Sequence, residues 1–297
     1  MKNKMTLLNP QLEAFMSVAQ HKTVHAGARA IHISQTAMTQ RIHGLEQRLK
    51  TTLFVRTRQG MQLTAEGEKL LRYCHTVADY SQETLTDMMN AGIKSIQRVK
   101  ISGPSSIMIS RVIPLGMKIM KIFSQLYITF DVNDTDNTIN MLRMGLSQFS
   151  ILRREQITRD MESKVLDPEK YLLVCTSKWK NRKLNHILQS ERIIDFDESD
   201  QMTVNYLMQF DLLKHAQTDR LFVNRTESLS KMLISGYGYG VLTKEFSKPF
   251  IKNGDLIALN NGKTFDNFLT IAWYPRPEPP KYFSAIINMI GGCNYPK

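Results

Sequence analysis

Ser34-Gln35-Thr36-Ala37-Met38-Thr39-Gln40-Arg41-Ile42-His43-Gly44-Leu45-Glu46 reads as a helix with one apolar and one polar face. Ser34 suits the N-cap, because its hydroxyl can accept from a free N–H of the first turn. Met38, Ile42, Leu45 and Leu49 recur at alternating steps of four and three, which gathers them on one stripe facing a core. At about 100° per residue the opposite face carries Thr36, Gln40, His43 and Gln47, with Gln35 and Thr39 on its leading flank. Such a face presents donors and acceptors to base edges in a major groove. Gln35, Thr36, Thr39, Gln40 and His43 are therefore the candidate base-reading residues.

The flanking segments complete a winged module. Leu12, Phe15, Met16 and Ala19 give a preceding helix its own stripe, opened by Asn9-Pro10, a capping residue followed by one suited to the first helical position. A short middle helix spans Val24 to Ile31. Beyond Leu49, the run from Leu53 to Leu63 predicts two short strands turning at Gln59-Gly60. Arg56 and Arg58 on that wing, with Arg41, are placed to hold phosphates or the adjacent minor groove. Charge separates this reading from an ordinary helical cluster with a solvated face. The chain carries a net +12, and residues 1–75 hold 11 Lys and Arg against four Glu, with five of the seven His. Positive charge concentrated on one small module is the footprint of phosphate binding.

The segment from Leu12 to Gly67 resembles the DNA-binding domain of LysR-type transcriptional regulators. The likeness lies above all in Ser34 to Glu46, Leu53-Phe54-Val55-Arg56-Thr57 and Leu63-Thr64-Ala65-Glu66-Gly67. The length of 297 residues also suits that family. Departures from its pattern are Thr36 for a common Pro, Gly27 for Ala, Lys50 for a helix-ending Gly, and Gln59 for a wing Arg. The resemblance implies a double-stranded DNA operator, RNA polymerase and further copies of the chain, as homodimer or homotetramer, as partners.

From Thr64 to Gly92 the pattern is one long amphipathic helix. Leu71, Cys74, Ala78, Ser81, Leu85 and Met88 form a narrow seam that fits either a core inside one domain or a pairing of two helices. The resemblance assigns it to pairing between subunits. Past Gly92, Gln97 to Ser102 alternates like a strand, Ile107 to Phe123 like a helix, and Tyr127 to Val132 like the next strand. This is a βαβ unit with a parallel pair. Strands at Arg192 to Phe196 and Leu221 to Val223, a helix from Thr226 to Ser235, and a turn and strand over Gly236 to Leu242 continue the theme. The fold class is α/β with an N-terminal winged helix-turn-helix, a long linker helix and a two-lobed α/β sensor similar to periplasmic solute-binding proteins. The expected domains are residues 1–66 for the reader, 67–92 for the linker and 93–297 for the effector-binding part.

Two turns, Gly103-Pro104-Ser105-Ser106 and Arg225-Thr226-Glu227-Ser228, each open a helix, and free N–H groups there attract an anion as readily as their hydroxyls serve as plain caps. The resemblance implies that both face one cleft, making Ser105, Ser106, Thr226 and Ser228 candidate effector contacts. Four stretches narrow the likeness to the branch that senses lysine and arginine and controls their export or metabolism: Val132 to Asp136, Leu142-Arg143-Met144-Gly145, Ile194 to Asp197 and Val223 to Ser228. The loss of an Asp at Gln148 is shared with it. Asp134, Asp136 and Asp197 would then meet a cationic side chain, whereas Arg225 suits an anionic ligand.

No run of about 18 apolar residues appears, and Met1-Lys2-Asn3-Lys4 leads straight into a helical pattern rather than a signal peptide, so a cytoplasmic location is expected. Cys74, Cys175 and Cys293 are too scattered for a disulfide framework or zinc ribbon and read as packing residues or a single redox sensor. Catalytic motifs, metal sites and cofactor fingerprints are not expected. Asp195, Asp197 and Asp200 would be an enzyme's best candidates, but they read as a solvated loop. The competing classes are a solute-binding protein and an α/β enzyme.

Overall fold

The computed structural model describes residues 9–89, 96–134, 137–276 and 279–292. Its first module is set by local signals. The Asn9 side chain accepts from the Gln11 N–H at 2.8 Å to open α1 (Pro10–His21). Thr23 and Ser34 cap α2 (Val24–Ala30) and α3 (Gln35–Leu49) through the third N–H of each helix. Phe15, Val18, Met38, Ile42 and Leu45 interlock in one core. Gly27 lies where α1 and α2 approach closely: a Cβ there would stand 3.2 Å from the Val18 backbone, so the absence of the usual Ala matches this packing. Leu49 departs from the expected buried stripe. It is the last residue of α3, directly before the left-handed Lys50, and is 43% exposed.

The wing consists of β1 (Phe54–Thr57) and β2 (Gly60–Leu63), antiparallel, with Thr57 opposite Gly60. The turn is therefore Arg58-Gln59, one residue earlier than the sequence reading places it. Gly60 serves another purpose. The Met61 N–H donates to the Lys22 carbonyl at 2.7 Å, Gly60 has φ +111°, and a Cβ on it would lie 2.4 Å from that carbonyl oxygen. Glycine lets the hairpin dock onto the end of α1.

The long helix α4 (Ala65–Met89) follows, and here the seam expectation is corrected in part. Leu71 and Cys74 are buried in the core of the first module, because the first turns of α4 pack back onto α1. Ala78 and Ser81 are partly buried, and the side chains of Leu85 and Met88 lie outside the described residues, as does Gly92. Between Leu71 and Cys74, α4 also grips the next domain through Arg72. Its guanidinium stacks 3.4 Å from the centre of the Tyr274 ring, donates to the Arg143 carbonyl at 3.0 Å and pairs with Asp160 at 3.6 Å.

Lobe I contains β3 (Gln97–Gly103), α5 (Ser105–Ile107), α6 (Ile113–Ile122), β4 (Leu126–Val132), α7 (Asn137–Arg143), β5 (Phe149–Arg153) and β6 (Glu162–Val165). The helix expected over Ile107 to Phe123 is interrupted by a π turn at Met108–Val112, just before Pro114, which has no N–H to continue a regular ladder. The chain then crosses to lobe II. There lie β7 (Glu169–Thr176), α8 (Leu184–Ser190), β8 (Ile193–Asp195), α9 (Met202–Gln209), β9 (Arg220–Phe222), α10 (Thr226–Ser235), β10 (Gly240–Thr243), α11 (Lys244–Asn253), β11 (Leu256–Ala258) and β12 (Thr264–Asn267). It returns to lobe I as β13 (Leu269–Trp273) and α12 (Lys281–Ile290).

The sheet of lobe I has the order β4-β3-β5-β13-β6, with β3 parallel to β4 as expected and parallel also to β5, and β13 antiparallel to both neighbours. In lobe II, β7 is central and pairs antiparallel with β10, β11 and β12, while β8 and β9 pair in parallel. Strand periodicity explains why β7 is central. Leu173 and Cys175 enter one core with Tyr206 and Leu207, and Leu172 and Val174 enter the opposite core with Leu229 and Leu233.

Candidate nucleic-acid interface and effector cleft

Gln35, Thr36, Thr39, Gln40 and His43 are all exposed along α3, opposite Met38, Ile42 and Leu45. The cap and the buried stripe fix the rotation of this helix, so the polar face is a consequence of the apolar one. The Thr39 hydroxyl donates back to the Gln35 carbonyl at 3.0 Å, leaving its methyl as the outward group. His43 Nε2 and Gln47 Nε2 lie 3.1 Å apart, which holds both side chains against the helix surface. Arg56 and Arg58 stand exposed on the wing, and Arg41 is partly buried. His75 does not add to the basic potential, since burial lowers its pKa and keeps it neutral.

The two helix starts singled out in the sequence meet between the lobes. Ser105 Oγ lies 3.3 Å from Thr226 Oγ1, a contact between α5 of lobe I and α10 of lobe II. Ser106 and Ser228 are partly buried beside them. Asp134 reaches the same place, but its Oδ1 accepts from the Ser105 N–H at 2.6 Å and is engaged by the backbone. Asp197 is exposed and accepts from the Ser199 hydroxyl at 2.7 Å and from the Ser199 and Asp200 N–H groups, bonds that hold its carboxyl below the ordinary value. Asp136 lies outside the described residues.

Two acidic groups, one read from the sequence as part of a solvated loop and one not singled out there, are more deeply placed. Asp195 is 1% exposed and accepts from Arg220 through Nε at 2.8 Å and Nη2 at 2.6 Å, a buried ion pair where a solvated loop was expected. The two residues end up adjacent because β8 and β9 run in parallel register. Glu169 opens β7, opposite Asn267 at the end of β12, so both sit where the chain passes between lobes. It is 2% exposed; its Oε2 accepts from Asn267 Nδ2 at 3.3 Å, and its Oε1 has no hydrogen-bond partner. Burial pushes its carboxyl up, opposed by Ser106 and Asn267. The only sequence signal for it is a carboxylate at the head of the apolar run Tyr171 to Cys175.

Cys74 and Cys175 are buried free thiols pushed up to about 11 and about 12, which suits packing rather than thiolate chemistry; Cys293 lies outside the described residues. Among the described residues no group of three or more His, Cys, Asp or Glu is placed to hold a metal ion, and no helix is long and apolar enough to cross a membrane.

The fold is a winged helix-turn-helix joined by a long helix to a two-lobed α/β domain. Comparison with known proteins makes this more specific. Residues 10–68 match the family described as bacterial regulatory helix-turn-helix protein, lysR family, so the chain carries a LysR-family helix-turn-helix domain. Over 66 residues it is 46% identical to the HTH-type transcriptional regulator CzcR of Bacillus thuringiensis, a match covering 22% of this chain and 22% of that protein. The whole fold is similar to that of ArgP from Mycobacterium tuberculosis, with a TM-score of 0.78 at 19% identity over 97% of each chain. It is also similar to full-length LysG from Corynebacterium glutamicum with bound effector Arg, with a TM-score of 0.75 at 19% identity over 96% of this chain and 98% of that one.

Proposed function

We propose that this chain is a LysR-type transcriptional regulator that reads an operator through α3 and answers to a small molecule held between its two lobes. The observation that carries the reading is the exposed polar face of α3 beside an exposed basic wing, in a module matched to the LysR-family reader. Gln35, Thr36, Thr39, Gln40 and His43 contact bases, while Arg41, Arg56 and Arg58 contact the backbone or the adjacent minor groove. The domain limits are residues 1–66, 67–92 and 93–297. Assembly into a dimer or tetramer matches the repeat of half-sites that such readers bind, with the outer seam of α4 as the pairing surface. RNA polymerase is the expected protein partner and the cytoplasm the expected location; neither catalysis nor a cofactor has a part in this function.

Mobility shift against the promoter beside its own coding region tests the reader. Gln35→Ala or Gln40→Ala should cost about 1–3 kcal/mol in binding the operator and leave the thermal midpoint in place. Arg56→Ala and Arg58→Ala should weaken all sequences alike and flatten the dependence on salt. Operator binding by Gln35→Ala equal to that of the parent would mean that another surface enters the groove.

The effector we assign is a basic amino acid, lysine or arginine. Support comes from the motifs shared with that branch, from the Ser105 to Thr226 contact between lobes, and from the acidic groups Asp134 and Glu169 that the chain gathers there. Calorimetry with L-lysine, L-arginine and L-glutamate should rank the two bases first. Tight binding of glutamate alone would reverse the assignment of effector and leave that of regulator intact.

A further inference from the structure

We infer that Glu169 is the residue that recognises the positive charge of the effector, through its unpartnered Oε1 at the point where the two strands cross between the lobes. The inference rests on the reading of that region as the effector cleft, and it replaces Asp197 and displaces Asp134 as the principal acidic contact.

A carboxylate removed from water is costly unless a cation or several donors replace the lost hydration. Glu169 has only a fraction of that replacement. Asn267 occupies Oε2, and no ion pair reaches Glu169 among the described residues. The nearby cation, Arg111, is directed elsewhere: it donates to the carbonyls of Asp167 and Pro168 and pairs with Glu245 at 3.4 Å. The other polar groups bearing on Glu169 are the Ser106 hydroxyl and the Tyr171 phenol, and both are neutral. Tyr171 is pushed well above its ordinary value by burial and by the Glu169 and Asp200 charges, so it stays protonated. One buried acceptor whose hydrogen-bonding neighbours are all neutral, with Arg111 engaged by Glu245, is what an ammonium or guanidinium group would complete.

Its position fits that role. Asn267 and Glu169 are register partners on the two crossing strands, and Ser106 belongs to the helix start that touches Thr226 across the lobes. Asp134 and Asp197 are poorer candidates because each already accepts backbone N–H groups. A cation at Glu169 would touch lobe I through Ser106 and lobe II through Glu169 itself, so occupancy favours the arrangement in which both lobes contribute.

The test is calorimetry on the full-length protein with two pairs of probes, L-arginine against uncharged L-citrulline and L-lysine against uncharged L-norleucine. The parent should prefer a charged member of a pair by at least tenfold. Glu169→Gln, which keeps the Asn267 contact and loses the charge, should remove that preference by weakening the charged probe and leaving the neutral one unchanged. Glu169→Asp, which keeps the charge on a shorter arm, should retain part of it. Neither variant should lose thermal stability or operator binding. Undiminished arginine and lysine binding by Glu169→Gln, or equal binding of charged and neutral probes by the parent, overturns the inference. A parent that binds DNA but none of the four probes overturns it as well and leaves the regulator reading standing. A parent that shows the charge preference but shifts no DNA does the reverse.

Discussion

Gly60→Ala should disable the reader: a loss of about 2–4 kcal/mol from the first module, and with it operator binding at growth temperature. Two costs combine. The backbone at Gly60 has φ +111°, where an L side chain is strained, and the added methyl would stand 2.4 Å from the Lys22 carbonyl oxygen. That oxygen is fixed, since it accepts from the Met61 N–H and belongs to the residue that ends α1 in a left-handed cap. Relief therefore requires the hairpin to leave α1, which breaks the Met61 bond and misplaces Arg56 and Arg58. Thermal unfolding of the full chain should show the first transition lowered while that of the two-lobed domain holds. An unchanged midpoint with intact DNA binding would show that the wing is not held by this contact.

The second large effect belongs to lobe II. Arg220→Ala should destabilise it by about 3 kcal/mol, because it leaves Asp195, 1% exposed, with a buried charge and no cation. Burial already pushes the Asp195 carboxyl up, and Arg220 is among the groups that oppose this. Removing Arg220 should thus raise it further, so the variant folds better at low pH and loses stability as pH rises through that higher value. Parent and variant should converge on acidification. The double change Asp195→Leu with Arg220→Met should recover most of the loss, since two apolar groups leave nothing unpaired. Equal midpoints for Arg220→Ala and the parent at neutral pH would contradict this account.

The reader was legible because its signals are local. A cap at Ser34 and a stripe at Met38, Ile42 and Leu45 involve residues three and four apart, and nothing distant is needed to read them. The same locality misled at α4, where one periodicity serves two purposes: Leu71 and Cys74 fill the reader's own core, and spacing alone does not show which neighbour a stripe faces. The central strands were hidden for a different reason. Along β5, β7 and β13 both faces are buried, so Phe149 to Leu152, Leu172 to Cys175 and Leu269 to Ala272 lack the alternation that marks a half-exposed strand. The burial of Asp195 and of Glu169 is not legible in the sequence because their partners are remote. Arg220 is 25 residues from Asp195 and Asn267 is 98 from Glu169, so only the fold shows that these carboxylates are enclosed.

The double crossing between the lobes also sets an order of assembly at the ribosome. Lobe II runs without interruption from Glu169 to Asn267, and those two ends are bonded to each other. Its sheet can therefore close as soon as that stretch has emerged, whatever the remainder of the chain is doing. Lobe I has no such freedom. Its fourth strand, β13, lies between β5 and β6, and Phe283, Ile286 and Ile290 of α12 complete its core, yet all of these are made last. Until they arrive, β5 and β6 have an open gap between them and the Phe149 side of the sheet is uncovered. A nascent chain of which only the stretch up to residue 267 has left the ribosome should accordingly carry a finished reader and a finished second lobe on either side of an unfinished first one. That half-built lobe is where a chaperone would have the most to hold.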